Sequence, residues 1–318
     1  MKVPARRKAP ARSRVAALAG GVGASKLLLG LSHELDPAAL DVIVNTGDDI
    51  VLHGVHISPD SDIVTYTLAG LVDAEKGWGI RGDTFHALER LAQYGREAWF
   101  NLGDRDLATH LHRTAMLASG KSLAEAADSI RRALGVKCRV LPMSNQLVPT
   151  IIHSNEGALH FQEYLVQRRA RPVVRSIQFQ NAATASPAPG VLAAIRAARR
   201  IIICPSNPLI SIAPILAVPG IRVALRDRKT DVIAVCPIVG GKSLKGPSDR
   251  MLAQLGHEVS ARGVAHLYAD FTGTFVIDPA DRGQGLSIRS LGMNVAVIPT
   301  VMNTLAQKRR LARALLAL

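Results

Sequence analysis

A chain of 318 residues that is 48% hydrophobic can bury a large core, and it suits one large α/β domain with an insertion or two smaller domains. Three widely spaced cysteines, Cys138, Cys204 and Cys236, argue against a disulfide framework or a Cys-x-x-Cys zinc site and fit a reducing cytoplasm. The formal charge of +14 is concentrated at the ends, with six cations in residues 1–14 and four in residues 308–313, which leaves about +4 for the middle and no reason to expect a specific nucleic-acid surface.

The first stretch, MKVPARRKAPARSR, reads as a basic solvated arm without the aromatic residues a base-stacking platform needs. Three glycines and Lys26 interrupt the apolar run that follows, which argues against a signal peptide. No run reaches the length of a membrane span. Val15–Leu18 is expected as a short buried strand, followed by the turn GGVGAS and a helix, Lys26–Leu35, with Leu27, Leu28, Leu31 and Leu35 on one face. Asp41–Asn45 is the next strand, so the chain opens as a βαβ unit with a parallel sheet.

From Asp62 to Gly135 the pattern turns helical. Phe85, Leu88 and Leu91 recur at helical spacing, as do Leu107, Leu111 and Met116–Leu117. Ser122 and Glu125 form a capping box, and Gly135 suits the helix end. Strand character returns at Lys137–Leu141, Ile151–His153 and Val173–Phe179. A helix over Ala188–Ala198, a strand over Arg200–Cys204, a short helix over Ile212–Val218 and a strand over Val232–Val239 follow. Met251–Leu255, Phe275–Asp278 and Val295–Ile298 continue the alternation, and Val301–Leu318 is a terminal helix. The expected fold is α/β, a doubly wound Rossmann-like parallel sheet with an all-helical insertion. Residues 15–61 and 136–318 would form the core, and residues 62–135 the insertion.

In such a sheet, ligands lie beyond the C-terminal strand ends. GGVGASK, residues 20–26, can bring backbone amides and a helix N-terminus to a phosphate. It is neither a P-loop nor a complete dinucleotide fingerprint. The stretch VNTGDDIVLHGVHISPDSD gathers Asp48, Asp49, Asp60 and Asp62 beside it, which points to magnesium, a hard cation that prefers oxygen ligands. His53 and His56 are read as structural. In NLGDRDLATH, residues 101–110, Asp106 could cap a helix, and Arg105 could form a surface ion pair or be aimed at a substrate. Ser206 and Asn207 of PSNP can bind phosphate or a base. GGKSLKGP adds Lys242 and Lys245.

Taken together, GGVGASKLLLGL, NTGDD, HGVHISPDSD, YTLAGLVD, GWGIRGDTF, LGDRDLATHLHRTAML, LPMS, HFQEYLV, PSNPLISIAPIL and PIVGGKSLKGP resemble the 2-phospho-L-lactate transferases of coenzyme F-420 biosynthesis. The resemblance implies a Rossmann-like core with a helical insertion, a homodimer, and a magnesium-dependent transfer. The acceptor would be the deazaflavin alcohol 7,8-didemethyl-8-hydroxy-5-deazariboflavin (FO). The donor would be a guanosine diphosphate linked to a small acid, either phospholactate, phosphoenolpyruvate or phosphoglycerate, and GMP would leave. It further implies Asp62 and Arg105 on the FO side, Gly21, Gly23, Ser206 and Asn207 along the nucleotide, the metal at Asp49 and Asp62, and catalysis through Asp49, Asp62 and Arg105. Ser144-Asn145-Gln146 departs from the family pattern. A related group of non-catalytic nucleotide-sugar-binding regulatory proteins shares the glycine loop and paired aspartates but not GDRDLATH, and is the alternative reading.

Overall fold

Every residue of the first strand, Val15–Ala19 (β1), is buried, and successive side chains enter different cores. Val15, Ala17 and Ala19 pack on one face of the sheet, Ala16 and Leu18 on the other, as the two-residue period of a strand demands. A strand apolar on both faces must lie inside a sheet covered on both sides.

The computed structural model describes residues 14–73 and 75–318, so the basic arm lies outside the described residues except for Arg14. Helix α1 (Gly21–Glu34) and strand β2 (Leu40–Val44) complete the first βαβ unit, and β3 (Ile50–Leu52) and β4 (Val55–Ile57) form a hairpin before α2 (Pro59–Leu68). Helices α3 (His86–Gln93), α4 (Asp104–Ala118) and α5 (Leu123–Ala133) lead to β5 (Arg139–Pro142). Strands β6 (Thr150–Ser154), β7 (Gly157–His160) and β8 (Val174–Phe179) come next, then α6 (Val191–Ala197), β9 (Arg200–Ile203), α7 (Ala213–Ala217), α8 (Ile221–Arg226) and β10 (Val232–Val235). The short hairpin β11 (Ile238–Val239) and β12 (Lys242–Ser243), α9 (Ser248–Gln254), α10 (Ala261–Tyr268), β13 (Thr274–Ile277), α11 (Gly285–Arg289), β14 (Asn294–Val297) and α12 (Leu305–Ala317) finish the chain.

Seven strands form the main sheet in the order β14-β13-β10-β9-β1-β2-β5, and every pairing is parallel. Leu27, Leu28 and Leu31 of α1 and Leu311 and Leu315 of α12 cover one face; Val191, Ile195, Ile215, Leu225 and Val264 cover the other. Each such leucine or isoleucine contributes on the order of 1.5–3 kcal/mol by burial. The doubly wound α/β fold is therefore present. Strand order reverses direction between β1 and β9, which places the switch point at the loops leaving those two strands.

Three local differences from the sequence reading have physical causes. The strand expected over Val232–Val239 breaks after Val235, because Pro237 has no amide for the ladder, and the chain turns into the β11–β12 hairpin. The strands expected at Ile151–His153 and Val173–Phe179 do not join the main sheet. Instead β6 pairs antiparallel with both β7 and β8 in a separate three-stranded sheet over Phe161, Tyr164 and Met251. Helix α1 begins at Gly21 rather than Lys26, so the glycine loop is itself the first turn. The capping box of Ser122 and Glu125 is formed, and Gly135, at φ +73°, ends that helix with Val136 donating back to the Arg131 carbonyl.

Candidate active site

The two switch-point loops are stitched together. Ser206 Oγ donates to the Gly20 carbonyl at 2.7 Å and accepts from the Gly20 amide at 3.4 Å. A Cβ at Gly23 would stand 2.3 Å from the Pro205 carbonyl oxygen, and one at Gly20 would stand 2.6 Å from Ser211 Cβ. Gly21 has φ +69°, a conformation that favours glycine. The glycines are thus required by the seam itself, and the seam holds the start of α1 at the strand ends.

The carboxylates gather because the β3–β4 hairpin folds the chain back on itself. Its turn is His53-Gly54, both at positive φ, so His53 is a turn residue, in line with a structural role. Asp48 and Asp49 precede the hairpin; Asp60 and Asp62 follow it in the first turn of α2, behind Pro59. Asn45 Nδ2 bridges Asp48 Oδ1 at 2.8 Å and Asp60 Oδ2 at 2.9 Å. Burial, then the neighbouring Asp60 charge, pushes the Asp48 carboxyl well up. Burial likewise pushes Asp60 up to about 6, against the opposing hydrogen bonds from Asn45 and the Gly21 amide.

Asp49 is turned away from this pair. Ser58 Oγ donates to its Oδ1 at 2.7 Å, and His56 Nε2 lies 3.0 Å from its Oδ2. Burial raises the Asp49 carboxyl, and burial with the Arg113 and His110 charges pushes His56 down to about 4. The contact is therefore a hydrogen bond of a neutral imidazole, not an ion pair.

Asp62 sits in a second network. Its Oδ1 meets Arg113 Nη2, and Arg113 Nη1 also donates to the His56 carbonyl at 3.2 Å and to His110 Nδ1 at 3.2 Å. His110 Nε2 then faces Asp106 Oδ1 at 3.3 Å, and the Tyr66 hydroxyl donates to that same oxygen at 2.7 Å. Burial opposes the Asp106 charge, but His110 and Tyr66 outweigh it and hold the carboxyl below its ordinary value. The remaining oxygen of Asp62, Oδ2, is buried 3.6 Å from His110 Nδ1 and has no hydrogen-bond partner among the described residues. Asp62, Asp106 and His110 offer ligand atoms within 4.8 Å of one another, a spacing that could hold a metal ion.

Several of these groups, Asp48, Asp60, Asp62, Tyr66, Asp106 and His110, line one cleft of about 750 Å³. Of the residues expected from sequence, Asp62, Gly21, Gly23, Ser206 and Asn207 line it, together with Asp48, Asp60, Asp106 and His110. Asp49 lies behind the wall. Arg105 is exposed and outside the lining, its Nη1 donating to the Arg81 carbonyl at 3.3 Å. Asp106 does not cap α4. Asp83 does so, accepting from the Arg105 amide at 2.8 Å and the Asp106 amide at 3.1 Å, while Asp104 reaches the Ala87 amide of α3 at 2.9 Å. Ser144-Asn145-Gln146 is structural: Asn145 Oδ1 accepts from Ala124 at the start of α5 at 2.9 Å.

Sequence reasoning missed Arg113, His110 and Tyr66. A signal existed: His110 and Arg113 fall three apart on the apolar face of a helix, where a buried charge needs a partner. Tyr66 carried no signal, since its hydroxyl finds Asp106 only through the packing of α2 against α4.

The profile of 2-phospho-L-lactate transferase CofD matches residues 15–316. A 2-phospho-L-lactate transferase of Methanosarcina mazei is 39% identical over 293 residues, covering 92% of this chain and 96% of that protein. A phosphoenolpyruvate transferase of Streptomyces griseus is 40% identical over 311 residues, covering 96% of this chain and 98% of that protein. In three dimensions the chain is similar to a UPF0052 family protein of Bacillus halodurans, with TM-score 0.66 and 17% identity over 97% of this chain and all of that one. At that identity the likeness speaks for the fold alone.

Proposed function

Because the chain belongs to the 2-phospho-L-lactate transferase CofD family, we propose that it moves a phospho-carboxylic-acid group from a guanosine-diphosphate-linked donor to the ribityl hydroxyl of FO, releasing GMP. The observation that carries this reading is one cleft bounded by both the Gly20–Gly23 and Ser206–Asn207 seam and the Asp62 network. A nucleotide along Gly21, Gly23, Ser206 and Asn207 would present its terminal phosphate to an acceptor held near Asp62.

The hydroxyl oxygen forms a bond to the terminal phosphorus, the bond from that phosphorus to the GMP oxygen breaks, and GMP leaves with the electron pair. The hydroxyl proton passes to a carboxylate. Asp62 lines the cleft, and its Oδ2, 3.6 Å from His110 Nδ1, accepts no hydrogen bond among the described residues, so Asp62 is the group to orient that hydroxyl. Trp78, Phe100 and Tyr66 line the same cleft and offer flat apolar surface to a deazaflavin. Arg105, at the rim beside Arg81, would meet the acceptor from outside.

Magnesium would neutralise charge on the diphosphate. The residues fit such an ion: Asp62 has a buried oxygen that accepts no hydrogen bond among the described residues, Asp106 faces the same cleft, and Asp48 and Asp60 hold like charges that a cation would relieve. Asp49, with both oxygens engaged, would act at one remove by fixing His56 and Ser58. Family membership also supports a homodimer working in the cytoplasm. Among the described residues no helix is long and apolar enough to cross a membrane.

The 2-phospho-L-lactate and phosphoenolpyruvate relatives named above are equally similar, so identity does not choose the donor acid. Mass spectrometry of the product from FO and each donor in turn tests the reading. No product from any donor would sink it, and full activity in excess EDTA would remove the metal.

A further inference from the structure

We propose that Lys26 and Lys245 together form an anion subsite in the cleft that takes a phosphoryl or carboxylate group of the bound donor. This rests on the transfer reaction proposed above and adds to it a binding group outside the glycine and PSNP loops.

Lys26 stands in the second turn of α1, just past the seam, and Lys245 in the loop between β12 and α9. Both line the cleft, which also carries Asp48, Asp60, Asp62 and Asp106. Yet among the described residues neither lysine makes an ion pair or a side-chain hydrogen bond. Cations and carboxylates therefore share one cavity without neutralising each other. Gly77 shows how closely Lys245 is approached from another loop: a Cβ there would stand 2.7 Å from its Nζ. Trp78 and Gly79 of the same loop line the cleft.

The arrangement is costly when nothing is bound. Lys26 is partly withdrawn from water, and burial together with the charges of Lys245 and Lys308 lowers its pKa. An anion placed between Lys26 and Lys245 would relieve this repulsion. The donor is an anion at two points, its diphosphate and its acid. The carboxylate cluster would hold the cation, and the lysines would hold the anionic end.

Calorimetric titration of GDP, phosphoenolpyruvate and inorganic phosphate tests this on Lys26→Met, Lys245→Met, Lys26→Arg and the wild type. Each Met substitution should weaken at least one probe about tenfold, Lys26→Arg should recover most of the loss, and FO affinity should stay within about twofold. A loss of GDP affinity assigns the phosphoryl group. A loss of phosphoenolpyruvate affinity with GDP unchanged assigns the carboxylate. If the wild type binds phosphate but not GDP, the donor reading fails while the lysine effect on phosphate still supports the subsite. Equal binding of all three probes by wild type and both Met variants overturns it, as does no binding to the wild type at all. Lys245 is exposed, so Lys245→Met decides the matter alone if Lys26→Met does not fold.

Discussion

Arg113 and Asp62 form an ion pair almost wholly withdrawn from water, the guanidinium 2% and the carboxylate 7% exposed. It joins α4 to α2, and the second Arg113 bond to the His56 carbonyl ties in the hairpin. Removing one partner of a buried pair leaves an uncompensated charge, which costs about 3–5 kcal/mol. Arg113→Ala should lose that much stability in urea denaturation, and adding Asp62→Asn should restore part of it. A loss below about 1 kcal/mol would mean that the pair does not hold the two helices together.

Arg105 presents a different case, because its side chain is exposed and, among the described residues, bound only through the Arg81 carbonyl. Arg105→Ala should therefore leave stability unchanged within about 0.5 kcal/mol. If the acceptor reaches the rim, FO affinity should fall about tenfold, the scale of one lost hydrogen bond to a charged group. Titration of FO fluorescence reads this directly. Unchanged affinity would take Arg105 out of the acceptor site.

The Asp48–Asp60 pair predicts an unusual pH dependence. Asp60 is held at about 6, above the ordinary carboxyl value of about 3.9. Between those values the folded state binds more protons than the unfolded chain, so stability falls as pH rises. The contribution is fully present below about pH 4 and is lost as pH passes 6, a change on the order of 2–3 kcal/mol. Asp60→Asn should be more stable than wild type at pH 7 and flatter across this window. Wild-type stability that rises from pH 5 to pH 7 relative to the variant would contradict the assignment.

What the sequence made legible follows the range of the interactions. The unbroken apolar run at Val15–Leu18 and the helical spacing of Leu27, Leu28 and Leu31 are local patterns, and they predicted strand and helix correctly. The return of Asp60 beside Asp48 was readable because a short hairpin separates them. Tyr66 with Asp106, forty residues apart, and Ser206 with Gly20, across the switch point, depend on tertiary packing that no local period encodes. The glycine loop was legible in position and only partly in cause: Gly23 is required by the Pro205 carbonyl as well as by any phosphate.

Asn207 offers the sharpest test of where the nucleotide lies. Its Oδ1 accepts from the Leu209 amide at 2.9 Å and so caps the segment that follows, while its Nδ2 donates, among the described residues, only to the Met251 sulfur at 3.8 Å. The two atoms thus have separable duties. Asn207→Ala removes both and should cost about 0.5–2 kcal/mol of stability through the lost cap. Asn207→Asp keeps the capping oxygen but replaces the donor with a charge that repels phosphate. It should fold like wild type yet bind GDP about ten- to a hundredfold more weakly, with FO affinity nearly intact. Calorimetry with GDP and FO on the same variant separates the outcomes. If FO binding collapses while GDP binding survives, the acceptor lies at the PSNP loop and the two substrates occupy the cleft in the opposite order.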